Sequence, residues 1–255
     1  MTVNDVIESF PPISLAEMDG IRLMNRIDSK YLTDTAGIEK VLADALDAGY
    51  MVFETEGVRI HPYDSVYFDT PGLKAFTEHR RGKLTRQKVR TRVYKVSGDY
   101  FLEIKNKNNH SRTKKKRIAI PADCFHDFSG NAEVAEWMGK RFLYSPERLS
   151  ASLGTAFNRI TLVNAGKTER LTIDMDVRFT NYRNGVEAGL GRAVIIELKQ
   201  DGRLGSPMRH ILLENRILPY RISKYCMGIS MTTPGIPLGR FKAKVRQIEK
   251  INITC

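Results

Sequence analysis

The stretch Arg170-Leu171-Thr172-Ile173-Asp174-Met175-Asp176-Val177-Arg178-Phe179 decides the fold. Leu171, Ile173, Met175, Val177 and Phe179 alternate strictly with Arg170, Thr172, Asp174, Asp176 and Arg178. A period of two marks a strand with one buried and one polar face. The same period recurs along the chain. Lys88–Lys95 alternates Lys-Val-Arg-Thr-Arg-Val-Tyr-Lys, and Phe101–Lys107 sets Leu102 and Ile104 against Glu103, Lys105 and Lys107. Lys115–Ile120 sets Ile118 and Ile120 against Lys115 and Arg117, and Ala193–Lys199 sets Val194, Ile196 and Leu198 against Ile195, Glu197 and Lys199. Arg26–Tyr31, Ser65–Asp69 and Phe157–Val163 are shorter candidates. About eight strands with short connections predict an antiparallel sheet.

Helical spacing appears between these strands. Thr33–Tyr50 carries Ile38, Val41, Leu42, Ala45 and Leu46 on one stripe and stops at Gly49. Gly72–Arg81, Pro121–Tyr144 (broken near Ser129-Gly130) and Ser206–Arg216 are further helical stretches. Thr233-Pro234-Gly235-Ile236-Pro237 reads as a linker to a basic tail, Arg240–Lys250, in which Phe241, Val245 and Ile248 fall at helical spacing. That stripe either packs on the sheet or meets an anionic membrane or membrane partner. The expected division is residues 1–19 as an N-terminal helical segment, 20–232 as the main domain and 233–255 as linker and tail.

The 255 residues carry 41 Lys plus Arg against 29 Asp plus Glu, a formal charge of +12, with 42% apolar residues. That is a folded, strongly basic chain, so polyanions are the first partners to consider. Met1–Phe10 has neither the basic nor the apolar region of a secretory leader, and no apolar run reaches the length of a membrane span. Cys124, Cys226 and Cys255 are odd in number and far apart, and the five histidines lack metal-binding spacings. A reduced, cytoplasmic setting is expected, with the inner face of the membrane as a further option. Gly166-Lys167-Thr168 mimics the end of a P-loop, but Thr161 stands where its first glycine belongs, so the segment reads as a hairpin turn.

Nearly every strand puts Lys or Arg on its polar face. The helices need the apolar face. If the sheet closes with helices outside, the charged faces line the interior. Burying so many like charges without a counter-anion is very costly, so the interior is expected to be wet and to bind a polyanion.

At this point the residues resemble a known family. Arg26-Ile-Asp-Ser-Lys30-Tyr31, Ser65-Val-Tyr67-Phe-Asp69-Thr70, Lys88-Val-Arg90-Thr-Arg92-Val-Tyr94, Phe101-Leu-Glu103-Ile-Lys105, Lys115-Lys-Arg117, Ala156-Phe-Asn-Arg159, Arg170-Leu-Thr-Ile-Asp174, Ile196-Glu197-Leu-Lys199 and Ser223-Lys224-Tyr225 follow one another in a familiar order. From about Arg22 to Ile229 the chain resembles the catalytic domain of the vacuolar transporter chaperone (VTC) polyphosphate polymerases, in the CYTH-like triphosphate tunnel metalloenzyme superfamily, in its short bacterial form.

The resemblance implies an α+β fold: a closed eight-stranded antiparallel β-barrel, the triphosphate tunnel, with helices packed outside. It implies that Lys30, Arg90, Arg92, Lys105, Lys115, Arg159, Arg170, Lys199 and Lys224 act on the phosphates, helped by Lys88, Arg117 and Ser223. Arginine forks bind phosphate oxygens bidentately, and lysines act as mobile point charges. Glu197, and less directly Glu103, would hold Mn²⁺ or Mg²⁺. The implied reaction is transfer of the γ-phosphoryl of ATP to a growing polyphosphate chain, largely by charge neutralisation and positioning. The alternatives are a tripolyphosphatase or nucleoside triphosphatase on the same site, or a non-catalytic polyanion- or nucleic-acid-binding protein.

ATP and polyphosphate are the expected partners, a membrane protein is a further one, and nucleic acid is not expected, because no helix-turn-helix, zinc-finger or RNP pattern is present. Two departures stand out. The superfamily's E-x-E-x-K reads Arg26-x-Asp28-x-Lys30, and Phe157 stands where the family often has tyrosine.

Overall fold

The computed structural model describes residues 2–19, 26–109, 113–202 and 204–253. Arg22, where the family resemblance begins, and Cys255 lie outside the described residues. Eight strands form the main ladder: β2 (Arg26–Asp34), β4 (His61–Asp69), β5 (Arg86–Tyr94), β6 (Asp99–Lys107), β7 (Thr113–Ala119), β8 (Ser150–Val163), β9 (Glu169–Asn181) and β11 (Ala193–Asp201). Their order is β2-β11-β9-β8-β4-β5-β6-β7, antiparallel throughout. Three short strands attach to it: β1 (Pro12–Ile13) pairs in parallel with β3 (Met51–Phe53), β3 joins β8, and β10 (Glu187–Gly189) joins β9.

The sheet curls without closing. In a flat sheet β2 and β6 would stand six strand spacings, about 29 Å, apart. Yet Lys30 on β2 acts electrostatically on Lys105 on β6. The expected closed barrel is nevertheless wrong, because among the described residues the ladder ends on β2 and β7, which do not pair. Two features explain the open seam. The outer edge of β2 is partly taken by the chain itself: Tyr31 bridges to Pro219, and the Lys30 carbonyl accepts from the Tyr220 N–H at 2.6 Å. The β7 edge carries Lys114-Lys115-Lys116-Arg117, all exposed, and such charge disfavours edge pairing.

The outer face of the curl is covered in two places. Ile160, Leu162, Leu171, Ile173, Ile196 and Leu198 pack against α1 (Val3–Glu8), α3 (Thr35–Asp47) and α6 (Pro207–Glu214). Helix α3 starts later than its periodicity predicts, because Thr33 and Asp34 belong to the β2–β11 ladder; Asp34 then caps it by accepting from Gly37 N at 2.8 Å. Its stripe Ile38, Val41, Leu42 and Ala45 is fully buried, and each larger side chain contributes about 1.5–3 kcal/mol. At the other end, Val66, Phe68, Val89, Leu102 and Ile104 pack on Val134 and Met138 of α5 (Ala132–Gly139). A short α2 (Leu15–Asp19) precedes residue 20.

The inner face is also partly filled. After α4 (Lys74–Arg81), the helix α7 (Lys224–Thr232) lies against Tyr63, Tyr67, Leu153, Phe157, Phe179 and Ile195, backed by Phe241 and by Ile248 of α8 (Lys242–Ile253). The basic tail therefore packs its apolar stripe, with Val245 partly buried in the same cluster.

A bulge makes this possible. Between Ala156↔Arg178 and Asn158↔Met175, β9 has one residue more than β8, and Asp176 takes φ +53°. The strict alternation expected for Arg170–Phe179 breaks there. Leu171 and Ile173 face the outer helices, whereas Val177 and Phe179 turn inward to α7.

Candidate functional site

Strand register builds one wall of the inner face. Arg90 stands between Tyr67 and Glu103, and Glu103 between Arg90 and Arg117; Lys88, Lys105 and Lys115 form the next row. Glu103 is 1% exposed and accepts from Arg90 Nε at 2.7 Å, Arg90 Nη2 at 2.6 Å and Lys115 Nζ at 2.9 Å. Burial alone would raise its carboxyl, but Arg90, Arg92 and Lys115 together hold it well below the usual carboxylate range. Arg90 also donates to the Tyr67 hydroxyl at 3.2 Å, and Arg117 lies 4.4 Å over the Phe101 ring.

Arg92 differs from its neighbours. It is buried, donates Nε to Ser65 Oγ at 3.0 Å, and stacks over Tyr63 and Phe157. Among the described residues no carboxylate pairs with it. Burial, then Arg90 and Arg159, weaken its hold on its proton.

The opposite wall comes from β2, β11, β9 and β8. Lys30 is opposite Glu197, Asp28 opposite Lys199, and Lys199 opposite Arg170. Glu197 lies 3.9 Å from both Lys30 Nζ and Lys199 Nζ, at the limit of an ion pair. Burial opposes its ionisation, yet Lys30, Lys199, Lys105 and Arg159 keep it well below the usual range. Lys105 is accessible to solvent but hemmed in on the concave side. Desolvation and Lys30 lower it to about 8. Lys199 is lowered to about 8 by desolvation, which outweighs Glu197, and by Arg170 and Arg159.

Helix α7 closes one end. Ser223 caps it, accepts from Lys88 Nζ at 2.8 Å, and points the positive end of the helix into the site. Lys224 donates to Asp174 and lies 3.7 Å over the Phe157 ring. Burial lowers the Lys224 ammonium against the pull of Asp174. The helix is anchored by Asp69, whose carboxylate accepts from Ala75 N at 2.9 Å, Phe76 N at 3.1 Å and the Tyr225 hydroxyl. His79 Nδ1 lies 3.0 Å from Lys88 Nζ and 2.9 Å from Cys226 Sγ. Burial, then Lys88 and Arg86, push it down to about 2, so it is neutral.

The sequence-predicted residues thus converge on one concave face: Lys30, Lys88, Arg90, Arg92, Glu103, Lys105, Lys115, Arg117, Arg159, Arg170, Glu197, Lys199, Ser223 and Lys224. Sequence reasoning missed several partners. Asp174 and Asp69 sat inside quoted motifs without a role, although a lone acid amid arginines is itself a signal. Arg86 lies two residues before Lys88 in the alternating run, and Tyr63, Ser65 and Tyr67 share its neighbour's polar face. His79 and Cys226 carried no sequence signal.

The resemblance to the superfamily implies a divalent metal, and few side chains here could hold one. Among the described residues no group of three His, Cys, Asp or Glu side chains could hold one. Glu103 has both oxygens committed to Arg90 and Lys115. Among the described residues the ion pairs of Glu197 are no closer than 3.9 Å, and Asp28 stands one strand away on the same face. Mg²⁺ and Mn²⁺ are commonly held by one or two carboxylates plus substrate phosphates, and Glu197 with Asp28 fits that pattern.

The VTC domain family matches residues 25–233. No curated protein matches the chain. Among solved structures, a candidate adenylyl cyclase from Hippeastrum, described as having a dominant triphosphatase activity, is 16% identical with TM-score 0.50, covering 84% of this chain and 98% of its own. The PH1819 protein of Pyrococcus horikoshii OT3 is 14% identical with TM-score 0.46, covering 81% and 98%. A Vibrio parahaemolyticus protein, described only as a candidate adenylate cyclase, is 9% identical with TM-score 0.45, covering 79% and 96%.

Proposed function

The chain belongs to the VTC domain family of the CYTH-like triphosphate tunnel metalloenzymes, and on that premise we propose that its concave face binds a linear triphosphate and catalyses phosphoryl transfer from it to water. One observation carries the reading. The cations of the inner face outnumber Asp28, Glu103, Asp174 and Glu197, and buried Arg92 has no carboxylate among the described residues. Such a face is complete only with a polyanion bound.

Each group has a part in the chemistry. Arg92, stacked on Phe157, presents the outer edge of its guanidinium to phosphate oxygens, and Arg159, its Nε and Nη2 held by Asp174, adds positive charge beside it. Lys30, Lys105 and Lys199 surround Glu197 and neutralise charge that builds on the transferring group. Ser223 and the start of α7 hold one end of the ligand, with Lys88 positioned by Ser223 and His79. Mn²⁺ or Mg²⁺ bound through Glu197 and Asp28 would add charge neutralisation at the phosphates. The triphosphatase activity stated for the similar Hippeastrum protein supports water as acceptor.

A second reading, transfer of the γ-phosphoryl of ATP to a polyphosphate end, is favoured by the family match and by the length of the cation row. Arg86, Lys88, Arg90 and Arg92 run along one face of β5 for about 20 Å, longer than three phosphates need.

Incubation with ATP or tripolyphosphate and Mn²⁺, read by chain length and orthophosphate release, tests both. Orthophosphate without chain growth supports hydrolysis, and long chains support polymerisation. Glu197→Gln lowers turnover about 10–100-fold if it holds the metal, and Arg90→Ala removes a cation of the inner face and frees Glu103, which weakens polyanion binding. Unchanged product in both variants would mean that the site is wrongly assigned.

A further inference from the structure

One end of the molecule combines exposed leucines with cations that pair with no carboxylate among the described residues. The connection from Gly82 to Arg86 and the turn from Arg141 to Tyr144 lie side by side. Gln87 ties them, accepting from Leu143 N at 2.7 Å and donating to the Arg141 carbonyl at 2.9 Å. Leu84 is 56% exposed and Leu143 is 65% exposed. A single exposed leucine needs no explanation, but two on adjacent loops beside a cationic cluster form an apolar tip.

The cluster is built from four parts of the chain. Arg86 pairs in register with Lys107, Arg221 precedes α7, Arg240 lies in the 3-10 turn (Gly239–Phe241) that leads into α8, and Lys244 is in the first turn of α8. The Arg240 guanidinium lies directly on Gly82, where a Cβ would collide with it, so the turn leading into α8 is held against the loop that carries Leu84. Crowding is evident. Beyond desolvation, Lys107 is lowered by Arg86 and Arg221, and Lys244 by Arg221 and Arg240. The neighbouring Glu78 is already engaged by Lys83 at 2.7 Å and the Tyr144 hydroxyl at 2.8 Å. The first turn of α8 holds Lys242 and Lys244 and no acid, against the preference of a helix start.

We propose that this end docks on an anionic bilayer surface, with Leu84 and Leu143 entering the headgroup boundary and Arg86, Lys107, Arg221, Arg240 and Lys244 meeting lipid phosphates. Cations beside apolar side chains match a charged interface over hydrocarbon. Nucleic acid would use the cations and leave the leucines in water. No helix among the described residues is long and apolar enough to cross a membrane. Lys88 and Lys105 follow Arg86 and Lys107 two residues inward, so this end of the concave face would open toward the lipid.

The proposal stands apart from the phosphoryl-transfer reading. The full chain is sedimented with vesicles of phosphatidylcholine alone and of phosphatidylcholine with phosphatidylglycerol. Binding only to the anionic vesicles, with release by high salt, is expected. The Leu84→Ser/Leu143→Ser variant weakens that binding about tenfold, with unchanged melting temperature and tripolyphosphate affinity. Absence of binding to anionic vesicles, equal binding to both kinds, or a double variant that binds like the parent overturns the proposal. An RNA oligonucleotide bound more tightly than the vesicles and indifferent to the leucines would reassign the patch.

Discussion

Arg159 and Asp174 face one another in register across β8 and β9, and the carboxylate receives both Nε and Nη2 of the guanidinium, at 2.6 and 2.8 Å. The same carboxylate takes the Lys224 ammonium from α7, so one acid holds a strand cation and a helix cation in the site. Asp174→Asn leaves both buried cations without their counter-charge. Destabilisation of about 3–5 kcal/mol is expected. Tripolyphosphate restores part of the lost melting temperature if these cations face the ligand. The carboxyl is held low in the folded chain, so its stabilisation is complete above the unfolded value of about 3.9 and is lost as acid takes the pH through the folded value.

Proton linkage gives a second test. Lys105 and Lys199 stand near 8 in the folded chain, below their ordinary 10.5. A lowered folded value means that the unfolded chain binds more protons between these limits. Stability from these groups is therefore complete above about 10.5 and is lost as pH falls through about 8. A bound polyanion raises both values, so binding near pH 8 takes up protons. Calorimetry in buffers of different ionisation enthalpy measures this directly, and zero uptake would remove both lysines from the ligand's surroundings.

Arg92→Met separates stability from binding. The substitution keeps much of the volume while removing a desolvated cation that Arg90 and Arg159 repel. It loses the Ser65 hydrogen bond, worth about 1 kcal/mol. The melting temperature is expected to hold or rise, while tripolyphosphate affinity falls at least about tenfold, as for a lost charge-assisted contact. A clear drop in stability with affinity intact would make Arg92 structural.

Gly228 tests how tightly α7 is seated. A Cβ there would collide with Leu153 Cδ2 and come within 2.8 Å of Phe179 Cδ1. Gly228→Ala is expected to cost about 1–3 kcal/mol through overpacking, despite alanine's better helix propensity. Because the shift displaces Ser223 and Lys224, ligand affinity should fall with stability. Thermal unfolding and tripolyphosphate titration of one preparation check both.

The alternation of Lys88–Lys95, Phe101–Lys107 and Ala193–Lys199 is local, and it suffices to place Arg90, Arg92, Glu103, Lys105, Glu197 and Lys199 on polar strand faces. Helix α3 is legible for the same reason, since a stripe against a wet face leaves a period in the sequence. Helix α7 left no such period. Tyr225, Cys226, Met227, Gly228, Ile229 and Thr232 are all buried, and a helix wrapped by protein has no polar face to betray it.

By itself, then, the sequence determined the strands, their charged faces and the demand for a polyanion, because side-chain alternation and charge are properties of neighbouring residues. Only the tertiary structure decided which carboxylates neutralise which cations. It also showed that the bulge at Asp176 turns Val177 and Phe179 inward, and that the ladder stops at β2 and β7. Those outcomes depend on pairings between distant segments, such as Tyr220 on Lys30 and Lys224 on Asp174, whose energies no local pattern encodes.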